Sequence, residues 1–261
     1  MKVLNKIIII VILVACLYAA FLIASDVSKI SEKISSFKIE FLPIIILLVT
    51  SGWFILFARW HLLLKNSKIF IPKKDNLVIF FSSFALAVIP GKMGDLIKSQ
   101  LLKTKFGIPR SRTVPIVMLE QLYTVIGLVF LSFFGIWYFE LGTYVIGFFT
   151  ALLVFVFILI SSRKTFNKMV LLLGKWKYTS KFVEPLSSSY DTIKTSIKGP
   201  MVFYASALTA VFWLIEAIVV YFLLLSFGID SIEFLKVLST YTTSLMLGVL
   251  RSEERRVGKE C

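Results

Sequence analysis

The chain has 261 residues, of which 58% are hydrophobic and 17% are charged. Soluble domains have roughly 45–50% apolar and about 25% charged residues, so this composition excludes an ordinary soluble enzyme. The 29 Lys and Arg residues exceed the 15 Asp and Glu residues, but they lie mostly in loops between apolar segments. That distribution is typical of a polytopic membrane protein and does not indicate nucleic-acid binding.

The last eleven residues, 251–261, interrupt an apolar segment that still continues at Leu250. They can be encoded by a DNA string that resembles a widely used sequencing-library adapter read in frame. We therefore interpret 251–261 as an adapter artefact and 1–250 as a membrane domain that is incomplete at its C-terminus. A native basic tail is the alternative. Cys16 is then the only cysteine, so no disulfide framework is expected.

Apolar segments predict the number of membrane spans. Those that are long enough to cross are 4–23, 41–64, 114–138, 143–160, 201–227 and, cut off at its end, 234–250. The further apolar segment 77–89 extends only about 20 Å as a helix, short of the roughly 30 Å hydrocarbon core. We predict an all-α polytopic helix bundle of six spans, the last incomplete, with a re-entrant half-helix at 77–89.

Charge distribution predicts the orientation of this bundle. If the N-terminus is cytoplasmic and 77–89 does not cross, 21 of the 25 Lys and Arg residues of 1–250 face the cytoplasm. A crossing by 77–89 would place the basic segments 92–112 and 163–198 outside, against the positive-inside bias. We therefore expect a multi-pass protein of the plasma membrane with a cytoplasmic N-terminus. A tilted pair made of 77–89 and part of 93–106 could mimic the re-entrant element.

The basic loop 161–200 contains a helical pattern. Its apolar residues follow each other at spacings of four, four, three and four, as on one face of a helix: Phe182, Leu186, Tyr190, Ile193 and Ile197. This helix lies either in the lipid headgroup layer or against the cytoplasmic end of the bundle. The pattern alone does not choose between the two positions.

The most informative stretch is Pro90-Gly91-Lys92-Met93-Gly94-Asp95, which breaks an apolar segment at membrane depth. Backbone that is freed in this way is tolerated where it is buried in protein or lines a cavity. A helix restarting near Met93 would direct its N-terminal amides into that cavity, beside Lys92, and would suit an anionic group such as a lipid phosphate. The alternative is an interfacial turn in which Asp95 complements the helix dipole and pairs with Lys98.

At these residues the sequence resembles a known family. The stretch from Pro90 to Asp95 is similar to the Pro-Gly-Arg-x-Gly-Glu signature of the flippase-like family, the membrane region of lysylphosphatidylglycerol synthases. Further matching pieces are Lys98, Leu101-Leu102-Lys103, Gly107-Ile108-Pro109, Arg59-Trp60 and Leu119-Glu120. The resemblance covers 1–250 in order and spacing. It implies a substrate-binding region made of Pro90, Gly91, Lys92, Gly94, Asp95, Lys98 and Glu120.

Two departures from the family pattern affect this region. Lys92 and Asp95 stand where Arg and Glu are usual, which keeps the charges. Glu120-Gln121-Leu122-Tyr123-Thr124 stands where members commonly show Glu-Arg-x-x-Asp, so an arginine and a second acid are absent. Any charge relay at this position is therefore in doubt.

Two acids lie inside predicted spans, where a charge facing lipid costs roughly 2.5–3.5 kcal/mol on insertion scales. Glu120 is expected to be a counter-charge to Lys92 or Lys98 at the same depth. Glu216 is either a neutral hydrogen-bonded carboxyl or a group with a role in transport. His61, the only histidine, lies at a membrane boundary beside Trp60 and is expected to be interfacial.

We therefore expect an integral membrane protein that handles an anionic lipid or a lipid-linked sugar and moves it between leaflets. The expected partners are that lipid, a second copy of the chain or a separate transferase; no cofactor, metal site or catalytic residue is expected. One alternative is the membrane domain of a lysyl- or glycosyltransferase whose catalytic part is elsewhere. The other is a non-transporting scaffold in envelope-lipid synthesis.

Overall fold

The computed structural model describes residues 36–84, 95–134, 140–174, 190, 193–194 and 200–257. Within these ranges a 3-10 turn at Ile39–Phe41 precedes eight α-helices. The helices are α1 Leu42–Asn66, α2 Lys73–Ser82, α3 Leu96–Phe106, α4 Arg110–Ser132, α5 Glu140–Ser161, α6 Arg163–Gly174, α7 Pro200–Ser226 and α8 Phe234–Val257. The described residues contain no strand. The prediction of an all-α helix bundle is confirmed.

Three of the described helical segments are long and apolar enough to cross a membrane, namely Ile39–Asn66, Arg110–Ser132 and Pro200–Ser226. Their bounds agree closely with the predicted spans 41–64, 114–138 and 201–227. The apolar part of α5 that is described, Thr143–Val156, is shorter. The predicted span 4–23 lies outside the described residues, so the count of six spans stays a prediction.

Helix α4 occupies the centre of the bundle. Its apolar window is 56% buried, against 11% for the segment that contains α1 and 17% for α7. Helix α7 packs mainly against α1 and α4 and also contacts α8. Large apolar side chains such as Leu47 and Phe203 remain exposed on α1 and α7, as expected for surfaces that face lipid.

A glycine allows α4 and α7 to approach closely. A Cβ atom at Gly127 would lie 2.7 Å from Cγ2 of Thr209 and 3.1 Å from the backbone nitrogen of Ala210. Small residues at helix contacts let backbones come together, and this is a common basis of helix association in membranes. The contact brings the polar side chains of α4 and α7 next to those of α1.

Helices α2 and α3 meet at one end of the bundle. Nζ of Lys105, near the end of α3, lies 2.5 Å from Oδ1 of Asp75, near the start of α2. Gly107 caps the C-terminus of α3, and its φ of 69° gives the left-handed conformation that glycine adopts readily. A re-entrant hairpin requires this proximity of its two ends. Its tip, 85–94, lies outside the described residues, so the re-entrant element stays a prediction.

The basic loop contains α6, a helix that the sequence pattern did not predict. Tyr190 is buried, and its ring centroid lies 4.8 Å from that of Phe166 on α6. Ile193 belongs to the main apolar core around Trp60. These contacts favour packing on the bundle over a position in the headgroup layer. The other residues of the predicted face, Phe182, Leu186 and Ile197, lie outside the described residues.

Helix α8 continues through residue 250 to Val257. A helix can extend across a junction between native and foreign sequence when its residues are good helix formers. The assignment of 251–261 to an adapter therefore stays a prediction.

Candidate functional site

Three charged side chains meet inside the bundle, one each from α1, α3 and α4. Nζ of Lys98 lies 2.5 Å from Oε2 of Glu120, and Nη2 of Arg59 lies 3.7 Å from Oε1 of the same carboxylate. Glu120 and Lys98 are each 2% exposed and Arg59 is 5% exposed. Removing one partner of such a buried pair typically costs about 3–5 kcal/mol, because a buried charge is left uncompensated.

Asp95 extends this cluster towards its more open side. Its Oδ1 lies 3.3 Å from Nζ of Lys98, and its Oδ2 accepts a hydrogen bond of 2.7 Å from Nε2 of Gln121. Asp95 is the N-cap residue of α3, but its side chain makes no capping hydrogen bond. Lys98 is therefore shared by two carboxylates, and the four charged groups sum to zero.

Hydroxyl groups from two further positions hold the guanidinium of Arg59. Its Nη1 donates to Oγ1 of Thr209 on α7 at 2.8 Å and to Oγ1 of Thr124 on α4 at 3.2 Å. Arg59 therefore links α1, α4 and α7. Its Nε is buried without a hydrogen-bond partner among the residues described. A buried donor without an acceptor is costly, and in native proteins it commonly indicates an unseen water, ion or ligand.

Two aromatic rings, those of Trp60 and Phe80, pack against the ammonium group of Lys98. Nζ of Lys98 lies 4.7 Å from the ring centroid of Trp60 and 5.5 Å from that of Phe80, within the range of cation–π attraction. Nε1 of Trp60 donates to Oδ1 of Asn76 at 2.9 Å, and Nδ2 of Asn76 lies 3.0 Å from Nδ1 of His61. Since the Trp60 indole only donates, Nδ2 of Asn76 is the donor towards His61.

A cavity of about 210 Å³ adjoins the charged cluster. At about 30 Å³ per water molecule, it has room for roughly seven waters or for a phosphate group. Its lining residues are Leu56, Arg59, Phe80, Ser83, Phe84, Asp95, Lys98, Glu120, Gln121, Thr124, Phe212 and Trp213. Nε1 of Trp213 is a second buried donor without a partner in the described ranges. Two cations, Arg59 and Lys98, therefore line the cavity, and Arg59 and Trp213 of its lining carry the two buried donors.

The family model described as lysylphosphatidylglycerol synthase TM region matches residues 7–252. The chain belongs to that family. Searches of curated proteins and of solved structures find no match. The resemblance that rested on the Pro90–Asp95 stretch is thereby confirmed at the level of the family. It makes the chain an integral membrane protein, in agreement with its apolar helices.

The predicted substrate-binding residues of this family member divide into two groups. Asp95, Lys98 and Glu120 come together around the cavity, and Glu120 pairs with Lys98, one of its two predicted partners. Pro90, Gly91, Lys92 and Gly94 lie outside the described residues. Their assignment to the site stays a prediction.

At two of the positions that depart from the family pattern, neutral side chains make hydrogen bonds to charged residues. Gln121 stands where an arginine is common and donates to Asp95. Thr124 stands where a second acid is common and accepts from Arg59. In this family member Arg59 and Lys98 are the cations that the structure places at Glu120.

Several residues of the site were not predicted as site residues, among them Arg59, Thr209 and Trp213. Arg59 was noted only as part of a family pattern, although it lies seven residues, or about 10 Å, before the end of an apolar helix. A cation at that depth is itself a signal. Thr209 and Trp213 gave no signal, because threonine and tryptophan are ordinary residues of a membrane helix.

The other predicted features lie away from the cluster. Glu216 does not line the cavity; its Oε2 accepts a long hydrogen bond of 3.4 Å from the hydroxyl of Tyr241. His61 is half-buried and stacks on Phe57 at a centroid distance of 6.2 Å. The described residues contain no group of three His, Cys, Asp or Glu side chains that could hold a metal ion.

Proposed function

We propose that this protein binds the anionic head group of a phospholipid or lipid-linked sugar in the cavity beside Arg59, Lys98 and Glu120, and moves it between leaflets. The main support is that two buried cations, Arg59 and Lys98, line one cavity inside the bundle, and that Arg59 and Trp213 of its lining carry buried donors without a partner among the described residues. Charge-assisted hydrogen bonds to a phosphate would satisfy those donors.

The charge balance of the cluster suits reversible binding. Lys98 is neutralised by Glu120 and Asp95. An entering phosphate replaces one of these carboxylates as the partner of Lys98, so that the cation is never left uncompensated. Binding is then an exchange of anionic partners. Such an exchange limits affinity and allows release, which a transporter needs more than a storage site does.

The cavity is suited to a head group and not to a whole lipid. Its 210 Å³ is far less than the volume of two acyl chains, whereas the outer faces of α1 and α7 expose large apolar side chains. We infer that the acyl chains remain in the membrane while the head group enters between the helices. The membrane domain of a transferase and a scaffold would also bind lipid, but neither requires transfer between leaflets.

The experiment is transfer of a labelled anionic phospholipid between leaflets of liposomes that contain the full-length protein. Lys98→Arg keeps the charge and should retain transfer. The double variant Lys98→Met/Glu120→Gln removes one cation and one anion, which preserves the charge balance of the cluster, and should lose most of the transfer. Lys65→Met, at the exposed end of α1, is the matched control for loss of a lysine.

If the wild-type protein transfers the lipid and the double variant does not, the result supports the proposal. Transfer by the folded double variant at the wild-type rate would contradict a role of the cluster. A wild-type protein that binds anionic lipid but moves none would favour the membrane domain of a transferase or a scaffold.

A further inference from the structure

Glu216 is a half-buried acid on a membrane-spanning helix that the proposed lipid site does not use. It lies on α7 ten residues, or about 15 Å, before the end of the helix at Ser226. The hydroxyl of Tyr241 on α8 donates to its Oε2 at 3.4 Å. On the α1 side, a Cβ atom at Gly52 would lie 3.7 Å from its Oε1, so the glycine leaves room for the carboxyl.

No cation neutralises Glu216 in the described part of the chain. The titratable or charged side chains described on the elements that pack against α7 are Arg59, His61 and Lys65 on α1, Arg110, Arg112, Glu120 and Tyr123 on α4, Lys236 and Tyr241 on α8, and Glu40 on the 3-10 turn. Of these only Tyr241 contacts the carboxyl. Arg59 is already paired with Glu120, and Lys236 is exposed near the start of α8. A carboxylate without a cation at this depth is costly, which favours a bound proton.

Glu216 lies between two cavities. One turn before it, Phe212 and Trp213 line the cavity of the proposed lipid site. One turn after it, Val220 lines a second cavity of about 330 Å³ between α7 and α8. Residues four apart share a helix face and are about 6 Å apart along the axis. The carboxyl is therefore about one helical turn from each cavity.

Tyr241 connects the carboxyl to the second cavity. It lines that cavity together with the hydroxyl-bearing residues Thr240 and Ser244, and its own hydroxyl reaches Glu216. Its ring centroid lies 6.3 Å from that of Trp213, which belongs to the first cavity. Tyr241 thus joins the lining of the second cavity to the carboxyl, and its ring contacts Trp213 of the first cavity.

We propose that Glu216 is a proton-binding site that faces the two cavities in turn, and that its loading and release are coupled to movement of the head group. The proton comes from water in one cavity and returns to water in the other, so no further reactant is needed. Because α7 also bears Thr209, which holds Arg59, a small shift of α7 would affect both sites. The coupling rests on the proposed function, whereas the proton site does not.

The proton site can be tested without any transport. Dicyclohexylcarbodiimide reacts with protonated carboxyls in apolar surroundings: the acid proton passes to a carbodiimide nitrogen, the carboxyl oxygen adds to the central carbon, and the adduct rearranges to a stable acylurea. In liposomes with the full-length protein, mass spectrometry should find the acylurea on the peptide that contains Glu216 at acidic pH. Glu216→Gln should abolish this product. Glu120, paired with Lys98, should stay unlabelled.

The coupling can be tested by the distribution of a labelled anionic lipid at steady state. One proton moved per lipid down a gradient of about one pH unit shifts the ratio between leaflets by up to about tenfold. Wild-type protein should show such a shift, and Glu216→Gln should equilibrate the lipid without one. Glu40→Gln makes the same chemical change at an exposed acid beside α7 and should behave as wild type.

The two proposals can fail separately. No acylurea on Glu216 at acidic pH would overturn the proton site. Transfer with the same gradient response in wild type and Glu216→Gln would overturn the coupling and leave the lipid-transfer proposal standing. No transfer by wild type would overturn both the lipid-transfer proposal and the coupling, while the labelling result would still decide whether Glu216 binds a proton.

Discussion

The contact between α4 and α7 makes a steric prediction about Gly127. An alanine there places its Cβ 2.7 Å from Cγ2 and 3.0 Å from Cβ of Thr209, closer than carbon atoms pack, so that α4 and α7 must separate. Overpacking of this kind typically costs about 1–3 kcal/mol, and alanine regains about 0.5–1 kcal/mol over glycine in a helix. We expect a net loss of about 1–2 kcal/mol of stability.

The displacement should also reduce function, because Thr209 accepts a hydrogen bond from Arg59 at 2.8 Å. Thr209→Ser removes the methyl group that clashes and keeps the hydroxyl, so Gly127→Ala/Thr209→Ser should recover part of the stability and of the lipid transfer. Stability is measured by unfolding in mixed micelles and transfer in liposomes. Gly147→Ala on the exposed face of α5 is the control, since no described atom lies within 4 Å of its new Cβ. Equal stability of Gly127→Ala and Gly147→Ala would refute the close approach of α4 and α7.

Four further predictions follow from the charges and from the chain end. Reporters fused after Lys74 and after Lys105 should both be cytoplasmic, and an external signal at Lys105 alone would contradict the re-entrant element. Lys92→Ala should reduce lipid transfer severely while Lys92→Arg is tolerated, since either cation can bind phosphate; equal transfer by Lys92→Ala and wild type would favour the interfacial turn. Glu120→Gln leaves Lys98 with one carboxylate, so bound anionic lipid should increase and its release should slow, whereas faster release would refute the exchange of partners. Genomic reads beyond the codon of Leu250 should continue an apolar segment, and reads that reproduce 251–261 followed by a stop would show that the tail is native.

The sequence predicted the helices well because their signals are local. Apolar runs of about twenty residues predict spans, and the observed α1, α4 and α7 begin and end within a few residues of the predictions, except that 135–138 lie outside the described residues. The pairing of Glu120 with Lys98 was also expected, since two opposite charges at the same depth gain by meeting. Helix α6 was not predicted, because its 12 residues lie in a basic loop and are too few to give the signal of a membrane span.

The rest of the site could not be predicted because it depends on how each helix is rotated about its axis. In water an apolar stripe identifies the buried face, but in lipid both faces of a helix such as α7 are apolar. The sequence therefore does not show that Thr209, Phe212 and Trp213 face inwards. The close contact at Gly127 identifies the inward face of α7, but only once α4 and α7 are known to touch.

The most direct test of the central claim compares two dissociation constants, for an anionic and a neutral lipid with identical acyl chains, each measured on the full-length protein. A buried charge-assisted hydrogen bond contributes about 1.5–3 kcal/mol, so wild type should prefer the anionic lipid by about tenfold or more. Lys98→Met/Glu120→Gln should lose most of this preference, and Lys65→Met should keep it. If the folded double variant prefers the anionic lipid as strongly as wild type does, the head group does not bind at Lys98.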